Sequence, residues 1–224
     1  MSNSVSRKVR LGVLLSGRGS NLQAVIDAIE AGSLTAEIAV VVSNKKDAVG
    51  LERARKHRIA DVYLDPKPFA GQPDSREAYD RAVLEILRKH DVDLVLLAGY
   101  MKIVTGVLVK AYENRMMNIH PSLLPSFPGL DVQKKAIEHG CKIAGCTVHF
   151  VTEGVDEGPI IIQAAVPILE NDRPDVLASR ILEQEHLIYP RAVQLYAEGR
   201  LRVEGRRVIV SEAGKAASGF INPT

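Results

Sequence analysis

The chain has 224 residues, 46% of them hydrophobic, and 29 Lys and Arg against 27 Asp and Glu for a net charge of +2. That size and apolar fraction suit a single domain with one substantial core, and the near-balance of charge gives no support to nucleic-acid binding. No apolar run is long enough to span a bilayer, and residues 1–10 are polar where a signal peptide needs its apolar region, so a cytoplasmic location without membrane attachment is expected.

Val9-Arg10-Leu11-Gly12-Val13-Leu14-Leu15 is an apolar run that ends in Ser16-Gly17-Arg18-Gly19-Ser20. Residues 21–31 then place Leu22, Val25, Ile26 and Ile29 at helical spacing, which reads as strand, glycine turn, helix. A second strand is expected over 38–42, a second helix over 50–57 and a short third strand over 61–64. A stretch bearing Pro and Gly, 65–73, leads to a helix over 76–90 with Asp74 or Ser75 as its cap. Leu94-Val95-Leu96-Leu97-Ala98 is a fourth strand. Continuous apolar strands alternating with amphipathic helices indicate an α/β, doubly wound, mostly parallel sheet covered on both faces, with ligands outside the carboxyl ends of its strands.

A fifth strand is expected over 116–119, a sixth over 143–150 and a seventh over 160–166. The last two should run antiparallel, because the loop between them is too short for a helical crossover. A helix over 174–198 with Pro at its first turn, a hairpin over 201–210 about Gly205 and loose tails at 1–8 and 211–224 complete one domain over 1–224 on a seven-stranded sheet.

The chemistry concentrates in three places. Asn118 and His120, two residues apart, project from one side of a strand and can aim an amide and an imidazole at one small volume, the arrangement of an oxyanion site. Pro121 and Pro125 make the exit from that strand a rigid, irregular loop. Alone, His120 fits a turn residue as well. Asp156, in Glu153-Gly154-Val155-Asp156-Glu157-Gly158-Pro159, stands in a loop that can bring a carboxylate against His120. The turn Gly17-Arg18-Gly19-Ser20-Asn21 opens a helix and can receive a phosphate on backbone N–H groups, or serve simply as a tight turn. Leu22 stands where a dinucleotide motif needs its third glycine, so a monophosphate fits better. Cys141 and Cys146, with His139 and His149, match no common zinc spacing, and residues 142–150 read as a strand, so neither a metal nor a disulfide is expected.

Taken together, Ser16-Gly17-Arg18-Gly19-Ser20-Asn21-Leu22-Gln23-Ala24, Gly50-Leu51-Glu52-Arg53-Ala54, Asp74-Ser75-Arg76-Glu77-Ala78-Tyr79-Asp80, residues 118–130, residues 148–158 and Gln184-Glu185-His186 resemble the phosphoribosylglycinamide formyltransferase family, folate-dependent enzymes of purine synthesis. The resemblance runs over 9–201. The Asn-x-His and later Asp alone would indicate only formyl-group enzymes in general; the glycine turn and the segment from His120 to Leu130 favour the glycinamide enzymes.

The resemblance implies the formyltransferase fold and attack by the amine of 5-phosphoribosylglycinamide on the formyl carbon of 10-formyltetrahydrofolate, the co-substrate. Asn118 and His120 would donate to the formyl oxygen, His120 being held as imidazolium by Asp156 and helping to protonate the departing nitrogen. Gly19, Ser20 and Asn21 would hold the substrate phosphate and Glu185 the ribose hydroxyls. The folate would lie along Met101, Lys102, Ile103 and Val104, beside Asn118 and the loop of Thr152, Glu153, Gly154, Val155 and Asp156, with Arg76 near its acidic end. Read without the resemblance, Arg76 is equally a solvated helix charge, Glu185 an ordinary helix-face acid, and Met101, Ile103 and Val104 equally core. Lys102 stands where many relatives carry Arg, which replaces a two-pronged grip with a point charge. The implied partners are small molecules; the assembly, a homodimer included, is left open. Two other functions are weighed: hydrolysis of 10-formyltetrahydrofolate by the same trio, and a non-catalytic nucleotide-binding module. The isomer of Leu124-Pro125 is likewise left open.

Overall fold

A computed structural model describes residues 7–71, 73–211 and 221–222. Its first half runs β1 (Val9–Leu15), α1 (Ser20–Glu30), β2 (Ala36–Ser43), α2 (Val49–Lys56), β3 (Asp61–Tyr63), α3 (Ser75–Lys89) and β4 (Leu94–Leu97). The second half adds α4 (Gly106–Ala111), β5 (Met116–His120), α5 (Val132–Glu138), β6 (Ile143–Phe150), β7 (Ile160–Pro167), α6 (Pro174–Ala197), β8 (Leu201–Glu204), β9 (Arg207–Val210) and β10 (Ile221–Asn222). One sheet takes the order β3-β2-β1-β4-β5-β6-β7-β9-β8, with β10 on β7. From β3 to β5 all pairs are parallel, whereas β5 with β6 and β6 with β7 are antiparallel.

Alternation along the strands sorts the core into two layers. Leu11, Val13 and Leu15 of β1 join Leu22, Val25 and Ile26 of α1 and Ile181, Ile188 and Val193 of α6 on one face. Leu14, with Val40 and Val42 of β2, joins Val83 and Leu87 of α3 and Leu108 of α4 on the other. On β5, Met117 and Ile119 belong to the first layer and Met116 to the second. Asn118 and His120 share the face of Met116, beyond the apolar cover that α4 supplies. A polar site can open there because loops, not a helix, lie over the strand.

The sheet is longer than the seven strands read from the sequence. The hairpin of β8 and β9 joins it through one parallel pairing, Ile160 with Arg207, and Ile221 and Asn222 pair with Ala164 and Gln163. Those two residues belong to the stretch expected to be loose; residues 1–6, 212–220 and 223–224 lie outside the described residues. Arg7 pairs with Asp93 at 2.7 Å. Helices α4 and α5 were not expected. Asp74 does precede α3, but its side chain accepts no amide there and pairs with Arg81 instead.

Close backbone approach fixes two glycines. A Cβ on Gly158 would lie 1.7 Å from the Phe150 carbonyl oxygen, and one on Gly19, at φ +67°, 2.7 Å from Gly50 Cα. Gly158→Ala should cost at least about 1–3 kcal/mol, the usual penalty of overpacking. Gly17→Ala, with nothing within 4 Å of the new Cβ, should stay within about 0.5 kcal/mol. Urea unfolding of the two variants checks the contrast; equal midpoints would refute it.

Candidate active site

The antiparallel register sets Asn118 opposite His149 and His120 opposite Thr147, so four polar side chains share one patch of sheet. His149, 2% exposed, has its Nδ1 2.9 Å from the Phe150 carbonyl oxygen. A carbonyl only accepts, so Nδ1 carries the proton. Burial lowers the pKa of this ring below its ordinary value, outweighing the Phe150 bond and the Asp156 charge. The ring is therefore neutral and Nε2 is an acceptor. It lies 3.3 Å from Asn118 Nδ2, which orients the amide with its nitrogen toward His149. Asn118 Nδ2 also donates to Asp156 Oδ1 at 3.4 Å.

Asp156 is the meeting point. Its backbone is left-handed, φ +56°, a conformation Asp tolerates better than most residues. Its Oδ2 accepts the Gly129 N–H at 2.9 Å and lies 3.5 Å from His120 Nδ1, and its Oδ1 lies 3.8 Å from His149 Nε2. The other nitrogen of His120, Nε2, donates to the Phe127 carbonyl at 3.0 Å. Both ring nitrogens of His120 thus face acceptors.

The segment after β5 is fastened from beneath. Thr147 donates to the Ser122 carbonyl at 2.6 Å and accepts the Leu124 N–H at 3.1 Å. Gln163 of β7 donates to the Leu124 carbonyl at 2.9 Å, and Ser122 Oγ to the Ser126 carbonyl at 2.7 Å. The Leu124-Pro125 bond is cis.

The glycine turn lies at the carboxyl end of β1. Gly19 is the N-cap of α1, and no side chain caps the helix, which leaves its first amides for another partner. The Asn21 amide donates to Glu185 Oε2 at 2.7 Å across to α6. Burial raises the pKa of Glu185, and the Asn21 bond opposes it. The Asn21 Oδ1, also buried, has no partner among the described residues. Ser16 Oγ accepts the Met101 N–H at 2.8 Å, tying the turn to the segment after β4.

A cavity of about 980 Å³ joins these parts. Gly19, Ser20, Asn21, Glu185, Asn118, His120, Asp156, Met101, Lys102, Ile103, Val104, Thr152, Glu153, Gly154 and Val155, all named from the sequence, line it. Arg76 does not; it lies exposed at the second position of α3. Met101 and Ile103 are 66% and 57% exposed, hence not core, whereas Val104 belongs to the layer under α3 and α4. Lys102 Nζ sits 4.5 Å from the Tyr79 ring centroid, and Arg18 is exposed. From the sequence, His149 reads only as a strand residue near two cysteines. The signal that would have found it is the register of β5 against β6, which needs the antiparallel pairing as well as the composition.

The chain belongs to the formyl transferase family, whose model matches residues 9–193. It is 54% identical to glycinamide ribonucleotide transformylase 1 of Symbiobacterium toebii, with a TM-score of 0.88 over 92% of this chain and 95% of that one. A phosphoribosylglycinamide formyltransferase of Escherichia coli is 46% identical over 85% of this chain and 88% of its own length. The trifunctional purine biosynthetic protein adenosine-3 of Drosophila melanogaster is 48% identical over 86% of this chain, which spans 14% of that longer protein. A formyltetrahydrofolate deformylase of Pseudomonas syringae shares the fold at a TM-score of 0.83 but is 28% identical, over 92% of this chain and 67% of its own.

A neutral His149 has a signature in stability. With its folded pKa below the ordinary 6.5, the unfolded chain takes up the proton first, so this residue's contribution is complete above that value and is lost as pH falls through it. His149→Gln keeps a side-chain acceptor without the titration. The stability advantage of the parent over the variant should shrink between pH 7.5 and 5.5 in urea unfolding; a constant difference would refute the neutral ring.

Proposed function

We propose that the chain transfers the formyl group of 10-formyltetrahydrofolate to the amine of 5-phosphoribosylglycinamide in purine biosynthesis. The observation that carries the reading is one cavity lined at once by a glycine turn, a buried acid and an Asn/His/Asp cluster. Its volume lies at the upper end of the range for small-molecule sites. Family membership supports it as well.

In this reading the uncapped start of α1 holds the phosphate at Gly19, Ser20 and Asn21, where helix amides and the dipole favour an anion. Glu185 and the free Asn21 Oδ1 offer acceptors to the ribose hydroxyls. Met101, Ile103 and Val155, all more than half exposed around the cavity, offer apolar surface to the folate ring, since exposed apolar clusters mark ligand surfaces. Lys102, held over Tyr79, supplies a point charge beside that wall.

The attacking amine resembles an α-amino group, with a reference pKa of about 8, so a useful fraction is neutral near pH 7 and no strong base is needed. As it adds to the formyl carbon, charge gathers on the formyl oxygen. Asn118 holds its two acceptors at 3.3 and 3.4 Å, long bonds from which an N–H is readily turned to a developing oxyanion. His120 faces acceptors with both nitrogens and is set up as a donor to the same oxygen. As the bond from the formyl carbon to the departing nitrogen breaks, the ring gives that nitrogen a proton and takes up the one released by the newly acylated amine, with Asp156 orienting it. The reading places the activity in the cytoplasm.

Formyl transfer should be measured with both substrates and with the folate alone. His120→Ala should lower kcat by about 10²–10⁴ and Asn118→Ala by about 10²–10³. Folate consumed at one rate with or without the amine would favour the hydrolase, binding without transfer would favour a binding module, and full turnover by His120→Ala would remove His120 from the chemistry.

A further inference from the structure

One conspicuous run, Gly50-Leu51-Glu52-Arg53-Ala54, has no part in the cavity: none of its residues lines it. It nevertheless grips the glycine turn from outside. At the start of α2, the Gly50 N–H donates to the Gly17 carbonyl at 3.1 Å, and Gly19 and Gly50 pack so closely that a Cβ on Gly19 would clash with Gly50 Cα. One helical turn later, Arg53 Nε donates to the Arg18 carbonyl at 2.9 Å and Nη1 to Gln23 Oε1 at 3.0 Å.

Arg18 and Gln23 flank the amides of residues 19–21. The Gln23 N–H donates to the Gly19 carbonyl at 3.0 Å, and Gln23 Nε2 donates to Asp27 Oδ1 at 2.8 Å and meets His57 Nε2 at 3.3 Å. His57 follows α2 and its Nδ1 lies 2.7 Å from Glu30 Oε1. The planar guanidinium therefore bridges the two arms of a turn that has no capping side chain of its own. A loop that receives a phosphate on backbone amides needs them fixed beforehand, because ordering them on binding would cost affinity.

We infer that Arg53 is a positioning residue for the phosphate-receiving turn, acting through Arg18 and Gln23 and not by contact with the substrate. The inference rests on the functional reading above and deepens its account of the phosphorylated substrate. Its signature is a split between substrates. Arg53→Ala should raise KM for phosphoribosylglycinamide about tenfold and leave kcat and the folate KM within about twofold. Gln23→Leu, which removes one anchor and no charge, should shift the same KM in the same direction by less. Arg53→Lys, with a point charge in place of the fork, should not restore the parent value.

Steady-state kinetics on both substrates, with calorimetric titration of inorganic phosphate and thermal melts of each variant, decides this. An unchanged amine KM in Arg53→Ala, or equal rises in both KMs, overturns the inference. So does full rescue by Arg53→Lys with no effect of Gln23→Leu, which would make Arg53 a bare charge. If Arg53→Ala does not fold, Gln23→Leu and Arg53→Lys carry the same test. A parent that moves no formyl group removes the functional reading; the calorimetry then stands alone, with weaker phosphate binding in Arg53→Ala supporting the inference and equal binding overturning it.

Discussion

A carboxylate largely withdrawn from water is costly unless several donors meet it, and the geometry around the part-buried Asp156 follows from that constraint. Its side chain is 11% exposed, and removing a carboxylate from water costs several kcal/mol before compensation. Compensation comes from three directions: the Gly129 N–H, the Asn118 amide and the facing ring of His120. These belong to the loop after β5 and to β5 itself, while Asp156 belongs to the loop after β6. The carboxylate can be satisfied only when both loops lie over the same face of the sheet, so the two close on one another. The positive φ at Phe127, Gly129 and Asp131 on one side and at Asp156 on the other is backbone bent to make that meeting possible.

The change from parallel to antiparallel pairing at β5 gives the meeting its place. In the parallel half, helices cover both faces and polar side chains on the strands would be buried without partners. Past β5 the chain returns directly through β6, and the face that α3 and α4 cover farther along the sheet is left to loops. Asn118, His120, Thr147 and His149 occupy that face. Thr147 and Gln163 hold the loop floor, and His149 holds the Asn118 amide. A neutral imidazole suits that last task, since a protonated one would donate to the amide oxygen and turn the nitrogen away. Tyr189 completes the support from below: its hydroxyl, fully buried on α6, reaches the carbonyls of Leu97 and Met117, each at 3.1 Å, where β4 and β5 approach the site.

How much of this could be read from the chain depends on the range over which each feature is encoded. The strands and the four longer helices are written locally, in apolar runs and in the 3.6-residue spacing of Leu22, Val25, Ile26 and Ile29, and their limits agree within a few residues. α4 and α5 are six and seven residues long, too short for periodicity to stand out, and α4 begins at a Thr-Gly pair that reads as a turn. The cluster of Asn118, His120 and Asp156 was legible because Asn118 and His120 are two apart on one strand and Asp156 sits among glycines. His149 was not, because its role depends on a pairing between residues 31 apart in sequence. Arg76 lies outside the cavity and exposed, while Asp80 and Tyr79 of the same motif do the local work.

That local work shows how the wall of the cavity is fixed. Asp80, 2% exposed, accepts the Thr105 N–H at 2.6 Å, and burial raises its pKa against that bond and the nearby charge of Lys102. Tyr79 donates to the Leu64 carbonyl at 3.0 Å and presents its ring to Lys102. One turn of α3 therefore anchors both ends of residues 102–105, as α2 anchors the glycine turn. The two walls of the cavity are built alike: irregular backbone runs along each, and a charged side chain from a helix behind it, Arg53 on one side and Asp80 on the other, bonds a carbonyl or an amide of that backbone. The position of such backbone depends on those helices, so a substitution behind the cavity can displace a group that lines it.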